Sequence, residues 1–251
     1  MRFDLLIRLT AAAAIALMAN TASGGNAARP LAVVELFTSQ GCSSCPPADG
    51  ILSELADRGD LVALSYHVDY WDYLGWRDTL ATTGNTERQY AYGRSFGVRS
   101  VYTPQAVVNG RLHMSGAQRQ RIDGTIDRLA AAGEGMTIDV SAAYSGESIV
   151  IRLGEGAGSQ KAHVVLAYFD PESTVTIRRG ENAGRTVTYR NAVKSVQTVG
   201  MWHGHAERLE VPVAEMEMRG AGGCAILLQQ VDSKGLPGVI LGATLVSMVG
   251  G

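Results

Sequence analysis

The sequence predicts an α/β domain followed by an all-β, antiparallel, sandwich-like domain. Three observations carry that expectation. The apolar run 31–37, a helical pattern from Pro46 and a second apolar run 61–68 make a strand, a helix and a strand, which in this order form a right-handed βαβ unit. Residues 105–114 and 117–132 then read as a hairpin and an amphipathic helix. After Gly135 apolar residues recur with period two, and no helical pattern interrupts them. The chain thus divides into a leader (1–28), an α/β domain (29–134) with a helical insertion at about 69–98, and a β-rich domain (135–251).

Taken in order, the first residues have the form of a secretory leader: Arg2 and Arg8, an apolar stretch over 9–19, then small residues through Ala28. The stretch is shorter than the roughly 20 residues a spanning helix needs. Removal between Ala22 and Pro30, a mature chain without a membrane span, and a periplasmic or secreted location are expected. The run 31–37 is broken only by Glu35, and the loop after it holds Cys42, Ser43, Ser44 and Cys45. From Pro46, residues Ile51, Leu52, Leu55 and Ala56 fall at helical spacing, with Gly59 as the stop.

The insertion carries Tyr70, Trp71, Tyr73 and Trp76 and a helical pattern over 86–96; Asp72, Arg77 and Asp78 among the aromatics are expected to face water or to form a local pair. Asn109 and Gly110 join the two hairpin strands. Ile122, Ile126 and Leu129 make the next helix amphipathic, and Gly133 ends it. Beyond it, strands are expected near 138–140, 149–151, 164–169, 175–177, 187–189, 209–213, 224–231 and 239–249, forming an antiparallel sandwich.

A hydrophobic fraction of 46% with 18% charged residues suits a globular protein, and a net charge of −2 without a basic run argues against a nucleic-acid partner. Two of the three cysteines form the Cys-x-x-Cys pair, and Cys224 sits in an apolar run as a buried, inert thiol. A dithiol between a strand and a helix start is placed for thiolate stabilisation at Cys42 by the helix dipole and amides. In an oxidising compartment the pair is a redox site or a permanent structural disulfide; with His67, His203 or His205 it is a copper or zinc site. All three readings stand on the residues alone.

The order of elements, with the dithiol at the strand-to-helix junction and Thr103-Pro104 just before the hairpin, resembles the thioredoxin fold. More closely, 35–49, 67–76 and 102–110, with 180–182, Asn191 and 229–241, resemble a family of secreted bacterial thioredoxin-like proteins catalogued as domain of unknown function 1223. The resemblance implies a thioredoxin-like domain over 29–134 and a cis peptide bond before Pro104. It further implies an exported thiol-disulfide oxidoreductase with Cys42 as nucleophile, Cys45 as resolving thiol, and Glu35 as the buried carboxyl that takes the Cys45 proton through water. Thr103 and Pro104, with Tyr102, Ser43 and Ser44, would shape the substrate groove. The partners would be a thiol- or disulfide-containing protein and a second redox protein, with no cofactor and no metal. The sequence departs from the commonest thioredoxin pattern, since Ser43-Ser44 replaces Gly-Pro and no tryptophan precedes Cys42. A non-catalytic binding module with a structural disulfide, or a periplasmic copper or zinc carrier, are the alternatives.

Overall fold

Strand β1 (Ala32–Thr38) is buried at all seven positions, and so is its parallel neighbour β2 (Leu61–His67), paired from Ala32 against Leu61 to Thr38 against His67. Unbroken burial means that both faces of the sheet are covered here. The chain is described from a computed structural model covering residues 29–157 and 160–247, so the leader expected over 1–28 lies outside the described residues. Ala32, Val34 and Leu36 face helices α1 (Pro46–Asp57) and α3 (Arg119–Ala131), whereas Val33 and Phe37 point to the opposite face.

Helix α1 opens on two prolines, which have no amide hydrogen to leave unpaired in the first turn, and it buries Ala48, Leu52 and Leu55 on one stripe. Helix α2 (Thr83–Ser95) begins three residues before its apolar pattern, because the Thr82 side chain accepts from the Asn85 amide (3.1 Å) and caps it. It buries Asn85, Gln89 and Tyr92 rather than an aliphatic stripe. A short 3-10 turn at Asp72–Leu74 precedes it. Strand β3 (Gln105–Val108) pairs antiparallel with β1 and with β4 (Leu112–Ser115), through a turn in which Asn109 and Gly110 have φ of +51° and +63°.

The remaining elements are β5 (Val140–Ser145), β6 (Ser148–Leu153), β7 (Ala162–Thr176), β8 (Thr186–Trp202), β9 (Glu207–Pro212), α4 (Ala214–Met218), β10 (Gly223–Val231) and β11 (Pro237–Ser247). They overturn the expected fold class. One mixed eight-stranded sheet runs β11-β10-β7-β8-β2-β1-β3-β4, and only β5, β6 and β9 form a separate three-stranded sheet. Among the described residues the fold is therefore a large, mostly-β mixed sheet with a small second sheet and four helices, not a thioredoxin-like α/β domain followed by an all-β sandwich.

The physical reason lies in β7 and β10. In β10, Cys224, Ile226 and Leu228 pack towards β5, β6 and β9, while Ala225 and Leu227 pack with Val33, Phe37 and Leu64. A sandwich strand would leave one of those faces wet. The two halves meet at one parallel bridge, Ser65 against Ala192. Side chains reinforce that seam: Asn191, at φ +48°, donates Nδ2 to the Ala63 carbonyl (2.8 Å), and Asn85 on α2 donates Nδ2 to the Val193 carbonyl (3.0 Å). The sheet also curls until the Ile240 amide donates to the Asn109 carbonyl (2.9 Å).

Candidate functional site

Cys42 and Cys45 are joined as a disulfide in the loop between β1 and α1. The Cys42 amide donates to the Ser39 carbonyl (3.1 Å) and the Cys45 amide to the Cys42 carbonyl (3.2 Å). The Cys45 carbonyl starts the helix, accepting from Ala48 (2.8 Å) and Asp49 (3.1 Å). The Ser44 hydroxyl lies 3.4 Å from Cys42 Sγ and is the donor there, since a disulfide sulfur has no hydrogen. Ser43 and Ser44 are exposed, yet Cys42 is only 2% exposed and Cys45 is closed to water.

Beneath the pair lies a buried polar cluster on the α1 face of the sheet. The Thr38 hydroxyl donates to Asp49 Oδ1 (2.6 Å), one helical turn beyond Cys45. Burial pushes the Asp49 carboxyl up to about 7, against smaller opposing effects from the Thr38 hydrogen bond and His67. His67 Nδ1 donates to Asp78 Oδ2 (2.8 Å), which also accepts from the Gln40 amide (2.7 Å). Burial raises the Asp78 carboxyl, but the charge and hydrogen bond of His67, with the Gln40 and Leu80 amides, outweigh it and hold it below its ordinary value. Asp78, expected in water or in a local pair, is thus buried and hydrogen-bonded to His67. His67 Nε2 is buried without a hydrogen-bond partner, and the Tyr189 ring packs edge-on to the imidazole at 4.5 Å. Burial, reinforced by Asp49 and Asp78, raises the Tyr189 hydroxyl.

Glu35 does not join this cluster. Its odd position in β1 puts it on the face of Val33 and Phe37, away from α1. Its Oε1 accepts from Arg88 Nε (2.7 Å) and its Oε2 from the Tyr92 hydroxyl, while Arg88 also donates to Gln229 (2.9 Å). This satisfied ion pair corrects the expectation that Glu35 takes the Cys45 proton. Around the expected groove, the Thr103-Pro104 bond is cis, as the resemblance implied, and Thr103 Oγ1 accepts from Trp71 Nε1 (2.8 Å). Tyr102 is partly exposed, its hydroxyl meets His113 Nδ1 (3.2 Å), and its carbonyl accepts from Gln89 (2.8 Å). Cys224 is buried, and burial pushes its thiol up to about 12.

Sequence reasoning gave Asp49, Asp78 and Asn182 no role in the site. Asp49 has an ordinary explanation as an acid in a first helical turn, and nothing local marks it as buried. Asn182 donates Nδ2 to the carbonyls of Gln40 (2.9 Å) and Cys42 (2.8 Å) from 140 positions away. Among the described residues no group of three or more His, Cys, Asp or Glu is placed to hold a metal ion, and no helix is long and apolar enough to cross a membrane.

The sequence model of a family described as protein of unknown function DUF1223 matches residues 33–229. The chain belongs to the DUF1223 family. No curated protein matches it. An X-ray crystal structure of a protein from Agrobacterium tumefaciens is 45% identical, with a TM-score of 0.81 over 88% of this chain and 95% of that one. HBP35 of Porphyromonas gingivalis is 12% identical, with a TM-score of 0.58 over 88% of this chain and 76% of that one, a likeness of fold alone. The matched span takes in Cys42, Cys45, His67, Asp78 and Asn182.

Proposed function

We propose that this DUF1223 protein is an exported thiol-disulfide oxidoreductase acting through Cys42 and Cys45. The observation that carries the reading is the disulfide at the start of α1 with a buried carboxyl, poised near neutrality, one turn beyond Cys45. In the reducing direction the Cys42 thiolate attacks a substrate disulfide, forming a mixed disulfide and releasing one substrate thiolate. Cys45 passes its proton to Asp49 and displaces the second substrate thiolate from Cys42. Two electrons have then left the dithiol and the Cys42–Cys45 bond has re-formed; the reverse sequence oxidises a substrate dithiol. Ser44 supports the thiolate, and Trp71, whose Cβ packs against Gly41 and whose indole donates to Thr103, stands beside the Cys42 loop. Because Cys42 is nearly closed, the exposed turn at Ser43 and Ser44 must shift to admit a second sulfur. The leader pattern over 1–28 supports export to an oxidising space.

The same closure favours a second reading, a binding module stiffened by a permanent disulfide. A glutathione titration of the purified mature chain, with mass tagging of Cys42 and Cys45, decides between them. Exchange chemistry predicts a potential between about −120 and −270 mV, and a value below about −300 mV would establish the structural disulfide instead.

A further inference from the structure

The turn joining β7 to β8, residues 177–185, reaches back onto the Cys42 loop. Its own hydrogen bonds close it: Ile177 to the Arg185 carbonyl (2.9 Å), Gly184 to the Ile177 carbonyl (2.8 Å) and Arg185 to the Asn182 carbonyl (3.2 Å). Asn182, 2% exposed, spends both amide hydrogens on the carbonyls of Gln40 and Cys42. At Gly180, φ +77°, an added Cβ would stand 3.2 Å from Trp76 Cβ, and Trp76 itself donates Nε1 to Gln40 Oε1 (2.8 Å). The turn is thus tied to the backbone on both sides of Gly41.

What the turn shows to solvent is basic. Arg178, Arg179 and Arg185 are exposed, as is Arg77 beside Trp76, and Glu181 is the one acid within 177–185. Among the described residues none of these four arginines has an ion-pair partner. A surplus of unpaired guanidinium groups on a chain of net charge −2 is a local feature with a direction. Guanidinium forks bind carboxylates in a planar, two-point geometry, and charges within about 8 Å of an approaching group act through physiological salt.

We propose that this turn is the partner-selecting rim of the Cys42 site, and that it takes an acidic polypeptide segment, one whose reacting cysteine is flanked by aspartate or glutamate. The proposal rests on the exchange reading and adds its substrate class. The attraction acts mainly on the encounter rate, which such fields raise by about tenfold or more at low salt. The Cys42 thiolate displaces one sulfur of the partner's disulfide, and the partner's thiolate leaves.

The test uses the full mature chain, reduced and freed of reductant, and two peptide disulfides of equal length, one with aspartates and one with lysines around the cysteine. Rates of mixed-disulfide formation are read by quenched mass analysis. Wild type is expected to favour the aspartate peptide, and Arg178→Gln/Arg179→Gln/Arg185→Gln to lower the aspartate-to-lysine rate ratio by about threefold or more. Salt at 0.5 M should abolish the difference. Exposed arginine-to-glutamine changes leave Asn182 and the fold in place, which an unchanged melting transition checks. A ratio that is the same in both proteins at low salt overturns the rim. A potential below about −300 mV in the glutathione titration overturns the exchange reading instead, and the rate ratio is still read on the reduced chain.

Discussion

Asp49 is where the chemistry of a single residue bears most on the whole. Burial is the first cause of its raised pKa, so the folded protein holds a proton there that the unfolded chain has released above about pH 4. Between about pH 4 and pH 7 the native state therefore binds the extra proton, and stability falls as pH rises. Above pH 7 the folded carboxylate is charged and the full cost is present, on the order of a few kcal/mol. Asp49→Asn should flatten the slope between pH 4 and 7 and raise stability at pH 8, measured by urea unfolding across that range. A slope unchanged in the variant would mean that another group carries it. If Asp49 is the proton acceptor for Cys45, the same variant should slow intramolecular resolution of a Cys42 mixed disulfide more than it slows attack by Cys42. Glu35 differs from Asp49 because both its oxygens already have donors.

Among elements, α2 holds the two halves together. It carries Arg88, which reaches Glu35 on β1 and Gln229 on β10, and Asn85, which reaches β8. Tyr92 lies edge-on to Phe37 on β1, and Arg88 lies over the rings of Tyr66 and Tyr92 at 5.5 and 5.1 Å. Arg88→Met leaves the Glu35 carboxylate, which is completely buried, without its cation. Stability should fall by about 3–5 kcal/mol, and Glu35→Gln added to it should restore much of the loss. Urea midpoints of the single and double variants check this; equal midpoints for the two would show that the pair is not what the cost reflects. The polar face of α2 explains why its periodicity was weak in the sequence: it buries hydrogen-bonding side chains, which a search for apolar spacing does not register.

For the whole molecule, the single eight-stranded sheet predicts that residues 29–134 do not fold alone. That fragment would lose the β7, β10 and β11 side chains that pack with Val33, Phe37 and Leu64, the Asn182 bonds to the Cys42 loop and the Asn191 bond to Ala63. Its amide spectrum should be poorly dispersed and its urea transition broad, whereas sharp two-state unfolding would mean that β1–β4 hold their own core. Local pattern determined much of this protein: β1, α1, β2, the Asn109-Gly110 hairpin, α3 and the dithiol at the head of α1 all follow from spacing, prolines and turn residues within short windows. The runs 162–169 and 223–228 also held a signal, since near-continuous apolar strands belong between two layers rather than on a half-wet sandwich. Which strands those would join is a different matter. Pairing β8 with β2, turning Glu35 away from the dithiol while Asp49 and Asp78 lie beneath it, and bringing Asn182 to Cys42 all depend on contacts across long stretches of chain. Their strength comes from burial, and burial is a property that only the assembled fold confers on a residue.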